Sequence, residues 1–209
     1  MSLRPTIIVF LRAPYLGAVK QRLAAGIGMI EARRFYTVTT HQLLHRLGRA
    51  PHWDVRLGVT PDQAATDGRF WPAHLKRFAQ GHGDLGMRMA RALGCFPNRP
   101  VVLIGSDIPD LSADHIAQAF AALGRSDLTF GPARDGGYWL IGARDSAMVR
   151  GLFKNIRWSS AHALADTLAN AGTRRVRLLD VRDDIDDTAD LARWRVLNNK
   201  GIRADRESQ

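Results

Sequence analysis

The chain is predicted to fold as an α/β domain built on a mixed, mostly parallel sheet, and three observations carry that expectation. Short apolar runs of strand length alternate with longer segments of helical period, as in strands joined by helical crossovers. The run Val101-Val102-Leu103-Ile104 is apolar at every position and ends in Gly105-Ser106-Asp107, as a strand buried between two layers does. Two further apolar runs flank Asp135-Gly136-Gly137, a hairpin signal that adds an antiparallel pair.

The elements follow in order. Thr6–Leu11 reads as a buried first strand, and residues 12–20 as a loop punctuated by Pro14 and Gly17. Phe35, Val38, Leu43, Leu44 and Leu47 recur near helical spacing, so Glu31–Leu47 is a helix. Trp53–Val59 is a second strand, Thr60–Gly68 a polar loop and Leu75–Ala79 a short strand. Gly83–Leu93 is a helix with Asp84 near its start, and Val101–Ser106 is the next strand. Ser112 is placed to cap a helix over Ala113–Leu123. Asp127–Gly131 and Tyr138–Gly142 form the antiparallel pair. Ser146–Phe153 and Ser160–Ala171 are predicted helical, Val176–Val181 alternates weakly as a strand, and Thr188–Leu197 is a last helix. No linker, repeat or low-complexity tract interrupts the chain, which predicts one domain over 1–199 and a frayed polar tail over 200–209.

Bulk properties narrow the function classes. The 209 residues suffice for one sizeable core, and 45% hydrophobic with 24% charged residues is ordinary for a globular domain. The apolar run Ile7–Leu11 is too short for a membrane span or a leader core, so a cytoplasmic protein with no membrane partner is expected. The single Cys95 excludes an internal disulfide framework and reads as a small buried hydrophobe. A net charge of +10 favours anionic partners. The cations are dispersed, however, with Arg33-Arg34, Lys76-Arg77 and Arg174–Arg177 as the densest groups. No aromatic–basic pattern accompanies them, which sets nucleic acid behind a small anionic ligand.

Four segments carry candidate chemistry. Asp107 ends a buried strand at the sheet edge where α/β proteins bind ligands, and it is a hard oxygen donor suited to Mg²⁺ or Mn²⁺. Ser112 already supplies the cap of the following helix, which leaves Asp107 without that duty. In the loop Leu11-Arg12-Ala13-Pro14 and onward to Leu23, Pro14 and Gly17 shape a turn while Arg12, Lys20 and Arg22 surround it with cations suited to phosphates. This is no Walker A loop, and Gly26-Ile27-Gly28 is no dinucleotide fingerprint. In Asp183-Asp184-Ile185-Asp186-Asp187-Thr188, Asp184 and Asp186 share one face of an extended chain, with Ile185 turned to the core. Their mutual repulsion is the kind a divalent cation relieves, while Asp187 or Thr188 can cap the last helix. Around Asp135-Gly136-Gly137, backbone amides are open to a close-lying ligand, and Trp139 and Trp158 are candidates to stack on a sugar or base, although core packing is the commoner use of either. His41 and His45 lie four apart on a helix but lack the metalloprotease pattern, and Cys95 has no evident base.

Five segments together resemble the bacterial DUF2064 family. They are Arg12-x-Pro14-x-x-Gly17-x-Val19-Lys20-x-Arg22-Leu23, Gly83-Asp84-Leu85-Gly86-x-Arg88-Met89, Gly105-Ser106-Asp107-Ile108-Pro109, Gly131-Pro132-Ala133-x-Asp135-Gly136-Gly137-Tyr138-Trp139-Leu140-Ile141-Gly142 and Asp184-Ile185-Asp186-x-x-x-Asp190-Leu191. The basic loop and the Ser-Asp-Ile-Pro turn also look like those of 2-phospholactate guanylyltransferases and, more distantly, molybdenum cofactor guanylyltransferases. The resemblance runs from Thr6 to about Leu197. It implies a GT-A, Rossmann-like three-layer α/β/α sandwich of the nucleotide-diphospho-sugar transferase superfamily. It implies a nucleotide over Leu11, Arg12, Ala13 and Pro14, with Gly17 and Ser106 alongside and Lys20 and Arg22 on its phosphates. It implies Asp107 and Lys20 as catalytic groups, a divalent metal on Asp107, Asp184 and Asp186, and an acceptor facing Asp135, Gly136 and Gly137. Two departures stand out: Gln21 where the family commonly has Thr, and Asp187 where Thr commonly follows the Asp-x-Asp.

The expectation is therefore a transferase dependent on Mg²⁺ or Mn²⁺ that moves a glycosyl group from a nucleotide-sugar donor to a small-molecule acceptor. Nucleotidyl transfer from a nucleoside triphosphate to a small phosphorylated or acidic acceptor is the alternative. A non-catalytic nucleotide-binding or nucleic-acid-binding protein is the remote one. The sequence leaves base, sugar, acceptor and oligomeric state open.

Overall fold

A computed structural model of the protein describes residues 3–50 and 52–196. Seven strands form one sheet: β1 (Thr6–Arg12), β2 (Asp54–Thr60), β3 (Lys76–Ala79), β4 (Val101–Ile104), β5 (Leu128–Pro132), β6 (Tyr138–Ala143) and β7 (Val176–Leu178). Their spatial order is β3-β2-β1-β4-β6-β5-β7. All pairs are parallel except those made by β6, which runs against both β4 and β5. The expected mixed sheet and its antiparallel pair are thus both present.

Alternation along the strands feeds two cores. Ile7, Val9 and Leu11 of β1 pack on one face, with Leu43, Leu44 and Leu47 of α2 (Met29–Gly48) and Ile116, Ala119 and Leu123 of α4 (Ala113–Leu123). Ile8 turns to the other face, against Met89, Ala92 and Leu93 of α3 (Leu85–Gly94) and Ala163 and Ala171 of α5 (Ala163–Ala171). The result is the three-layer α/β/α sandwich. Fully burying each such Leu or Ile contributes about 1.5–3 kcal/mol, which is why both faces of these strands read as apolar.

Strand direction determines where chemistry can gather. The C-terminal ends of β1 and β4 open on one edge. The sheet's order reverses between these neighbours, which makes the crevice there the ligand site expected of such sheets. Because β6 is antiparallel, with Ile104 opposite Leu140, its first residue Tyr138 lies at that same edge. β7 is parallel to β5, so the chain leaving it, bridged at Ala133 and Arg182, arrives there too.

Caps behave largely as their residue types dictate. Asp84 accepts from the Met87 amide to open α3, and His115 Nδ1 accepts from the Ser112 amide to open α4. Asp187 accepts from the Asp190 amide, while the Asp190 carboxylate accepts from the Asp186 and Asp187 amides, starting a helix over 188–196. The remaining Leu197 of the expected last helix and the 200–209 tail lie outside the described residues.

Four expectations are corrected. A short α1 (Gln21–Ile27) precedes α2; it buries only Leu23 and so has no apolar period to betray it. The predicted helix Ser146–Phe153 is only a 3-10 turn, Ser146–Val149, cut off by Gly151 at φ +74°. The helix expected from Ser160 begins at Ala163, because the Ser160 hydroxyl accepts from the His162 amide and holds a turn there. Cys95 is exposed rather than buried: it caps the end of α3 on the solvent side.

Candidate active site

A cleft of about 650 Å³ opens at this sheet edge. Of the residues singled out from sequence, Leu11, Arg12, Lys20, Arg22, Ser106, Asp107, Asp135, Gly137, Asp184 and Asp186 all line it. Chain segments more than 160 residues apart thus meet in one place.

The acidic side is assembled by one backbone bond. The Ile185 amide donates to the Asp107 carbonyl at 3.1 Å, stitching the loop after β7 to the loop after β4. Ile185 is buried with Leu23, Ala32 and Leu191, which turns Asp184 and Asp186 outward together. Arg182 steadies the same loop, its guanidinium 5.8 Å from the Trp139 ring centroid.

Lys20 sits in the middle of this group. It opens α1 in a left-handed conformation, φ 49° and ψ 49°, uncommon for a side chain of its size. Its Nζ lies 2.5 Å from Asp107 Oδ1 and 3.1 Å from Asp186 Oδ1. Arg22 adds a 3.6 Å contact with Asp186 Oδ2. Lys20 therefore bridges two of the carboxylates directly.

Electrostatics follow from this geometry. Burial pulls the Lys20 pKa down, but Asp107 and Asp186 together hold it above the usual lysine value, so the ammonium stays charged. Asp184 forms no ion pair among the described residues. Its pKa is raised to about 6 by burial, by Asp186 and by Asp135, with Lys20 offsetting only part.

The donor set fits a divalent cation in its chemistry. Two hard carboxylate oxygens from opposite loops converge on one cation position, and a third crowded carboxylate stands beside them. No ready group of three acidic or His ligands exists among the described residues, and the Lys20 ammonium occupies the position between Asp107 and Asp186.

The opposite wall was less legible. Gln80, buried at the end of β3, donates through Nε2 to the carbonyls of Leu11 and Gly58, and its Oε1 accepts from Arg88 at 2.9 Å. Arg88 and Arg12 both line the cleft, and neither forms an ion pair among the described residues. Burial and the Arg12 charge lower the Arg88 pKa, with Asp84 offsetting part of the effect. Tyr36 of α2 clamps the Arg12 backbone, donating to its carbonyl at 2.9 Å and accepting from its amide at 3.0 Å; Ser106 donates to the same phenol oxygen at 3.4 Å. Arg88 lay in a noted motif without a role, and nothing in the sequence marked Gln80 or Tyr36.

Several expected contacts are displaced from the cleft. Ala13 is buried, its amide extending the sheet to Thr60 O at 2.7 Å, and Pro14 is buried behind it. Gly17, at φ +76°, turns the loop, and its carbonyl accepts from Gln21 Nε2. These three shape the loop after β1 rather than line the cleft. Gly136, at φ +86°, lies beneath Ala161, whose backbone oxygen would stand 2.3 Å from any Cβ there. Trp139, a buried core residue donating to Asp180 O, and half-buried Trp158 both border the cleft. His41 and His45 are exposed on α2, as expected.

Comparison with known proteins agrees with this architecture. A crystal structure from Desulfovibrio desulfuricans G20, provisionally described as a nucleotide-diphospho-sugar transferase, is 31% identical; the match covers 90% of this chain and 84% of that one, with a TM-score of 0.82. Molybdopterin-guanine dinucleotide biosynthesis protein A from Archaeoglobus fulgidus is 14% identical over 93% of this chain and 99% of its own, with a TM-score of 0.59. Rv0371c from Mycobacterium tuberculosis H37Rv, crystallised with manganese, is 16% identical over 91% and 97%, with a TM-score of 0.54. The last two likenesses concern the fold alone. No curated protein matches the chain. No helix among the described residues is long and apolar enough to cross a membrane. The profile of DUF2064, described as an uncharacterized protein conserved in bacteria, matches residues 43–160, and the chain belongs to that family.

Proposed function

We propose that the protein is a divalent-cation-dependent transferase using a nucleotide-activated donor, with glycosyl transfer from a nucleoside diphosphate sugar as its reaction. The observation that carries this reading is the convergence of Asp107 and Asp186 on one cation position, in a cleft also lined by Arg12 and Arg88, which form no ion pair among the described residues. One wall suits a metal and the other suits phosphate oxygens. The description of the Desulfovibrio protein as a nucleotide-diphospho-sugar transferase supports the donor class, and the manganese complex of Rv0371c supports the cation.

In this reading the nucleotide lies over Leu11 and Arg12, with Ser106 beneath it. Asp107 and Asp186, with Asp184 adjacent, would hold Mg²⁺ or Mn²⁺, which would supply charge neutralisation for the departing phosphate oxygens. Lys20 leaves the carboxylates for the phosphates, and Arg22 adds positive charge on the same side. Arg88, fixed by Gln80, holds the donor from the far wall. Asp135 and the Gly137 backbone face a small-molecule acceptor.

Nucleotidyl transfer is the second reading. Arg12 and Arg88 favour it, because two cations without ion-pair partners could match the extra charge of a triphosphate. Incubation with nucleoside triphosphates and nucleotide sugars, measuring pyrophosphate and nucleoside diphosphate separately, tells the two apart. Acceptor-dependent nucleoside diphosphate release is expected; acceptor-dependent pyrophosphate release would reject glycosyl transfer.

A further inference from the structure

We propose that the acceptor end of the cleft takes an uncharged, hydroxyl-bearing ring compound stacked on Trp158 and excludes anionic acceptors. The proposal rests on the transferase reading above and narrows its substrate class.

The walls of the cleft divide by charge. Its lining cations, Arg12, Lys20, Arg22 and Arg88, come from β1, α1 and its cap, and α3. The other end, formed by residues 133–138 and 158–163, contributes no lining cation among the described residues. It contributes Asp135, whose charge reaches Asp184. The cations that neighbour it in sequence are neutralised outside the cleft: Arg134 Nε lies 2.6 Å from Asp183, and an Arg157 nitrogen 2.7 Å from Asp166. A phosphorylated acceptor there would meet the Asp135 carboxylate, while the cations that line the cleft come from other segments.

What the acceptor end offers instead is an aromatic wall and hydrogen-bond acceptors. Trp158 is wedged against Gly86 of α3, where a Cβ would come within 2.7 Å of its ring. Its ring centroid lies 6.4 Å from Tyr138 and 6.3 Å from Phe153. The wall is therefore rigid before any ligand arrives. An indole face suits the C–H face of a sugar-like ring. Asp135 Oδ1 accepts from the Gly137 amide at 2.9 Å, which orients the carboxylate and leaves Oδ2 for a ligand hydroxyl.

The test follows the Trp158 indole N–H resonance, assigned by its loss in Trp158→Phe. Wild-type protein is titrated with neutral probes, methyl glucoside and myo-inositol, and with anionic ones, glucose 6-phosphate and glycerol 3-phosphate. Each titration is run with and without Mn²⁺ and nucleoside diphosphate. The neutral probes are expected to shift the resonance with at least about 10-fold higher affinity than the anionic ones, and Asp135→Asn to narrow that gap. An anionic probe binding as tightly as the neutral ones overturns the proposal, and so does the failure of every probe to shift Trp158. Loss of nucleotide binding would instead reject the transferase reading, with the acceptor result still readable from the nucleotide-free titrations.

Discussion

The Lys20 ammonium lies 2.5 Å from the Asp107 carboxylate, and the lysine side chain is only 6% exposed. A lysine so buried keeps its charge only because carboxylates surround it. Asp107 and Asp186 supply them, and neither is buried to the same degree. Lys20 therefore acts as a resident cation in the place where the donor's metal is proposed to bind.

Lys20→Met should separate the two cations. Turnover is expected to fall about 10²–10³-fold, the scale for losing one preorganised electrostatic group. With the competing ammonium gone, Mn²⁺ should bind the nucleotide-free variant more tightly than wild type and raise its melting temperature further. Thermal melts with and without Mn²⁺ check this; an unchanged Mn²⁺ response would mean that the ion binds away from Lys20.

Asp184 gives the protein a pH signature. Its folded-state pKa, about 6, exceeds the ordinary carboxylate value of 3.8. The folded protein then holds this proton when the unfolded chain has lost it, so the stability it confers is present below about pH 4 and lost as pH rises towards 6. Asp184→Asn should remove this slope. At pH 7.5 it should melt about 2–4 °C higher than wild type, a modest gain because the group is only half-buried. Saturating Mn²⁺ should erase the difference. A variant that melts lower than wild type throughout would contradict the assignment.

Gln80→Leu should cost stability and donor affinity together. It leaves the Leu11 and Gly58 carbonyls without their donor and releases Arg88. Buried unsatisfied groups cost about 1–3 kcal/mol each. Arg88→Ala, by contrast, should weaken nucleotide binding about 10-fold with little change in melting temperature. Denaturant melts and calorimetry on both variants check the contrast; unchanged nucleotide affinity in Arg88→Ala would remove it from the donor site.

Gly86→Ala tests the rigidity of the aromatic wall. The added methyl would stand 2.7 Å from Trp158 Cζ2 and 2.8 Å from Phe153 Cβ, so both must move. Overpacking of this kind costs about 1–3 kcal/mol. A denaturant midpoint equal to that of wild type would show that the wall yields freely.

Much of this was legible in the sequence because the sheet edge concentrates it. Val101–Ile104 is apolar throughout, which identified a central strand and delivered Asp107 to its end. The spacing Asp184-Ile185-Asp186 identified two carboxylates on one face, because only Ile185 belongs to a core. What stayed hidden depends on long-range pairing. Gln80 carries no motif, and its role exists only because β3 places it beside the carbonyls of Leu11 and Gly58. Lys20 was recognised as a cation, but its carboxylate partners could not be named, since the stitch from Ile185 to Asp107 joins residues far apart in the chain. Ala13, Pro14 and Gly17 show the converse: a motif marks a loop without saying which of its members face the ligand.

The most direct measurement is calorimetric titration of wild type and Asp107→Asn with nucleoside diphosphates, each with and without Mn²⁺. If Asp107 anchors the cation that holds the diphosphate, wild type should bind far more tightly with Mn²⁺, and Asp107→Asn should lose that gain while keeping the weaker metal-free affinity. Equal enhancement by Mn²⁺ in both proteins would contradict the account at its centre.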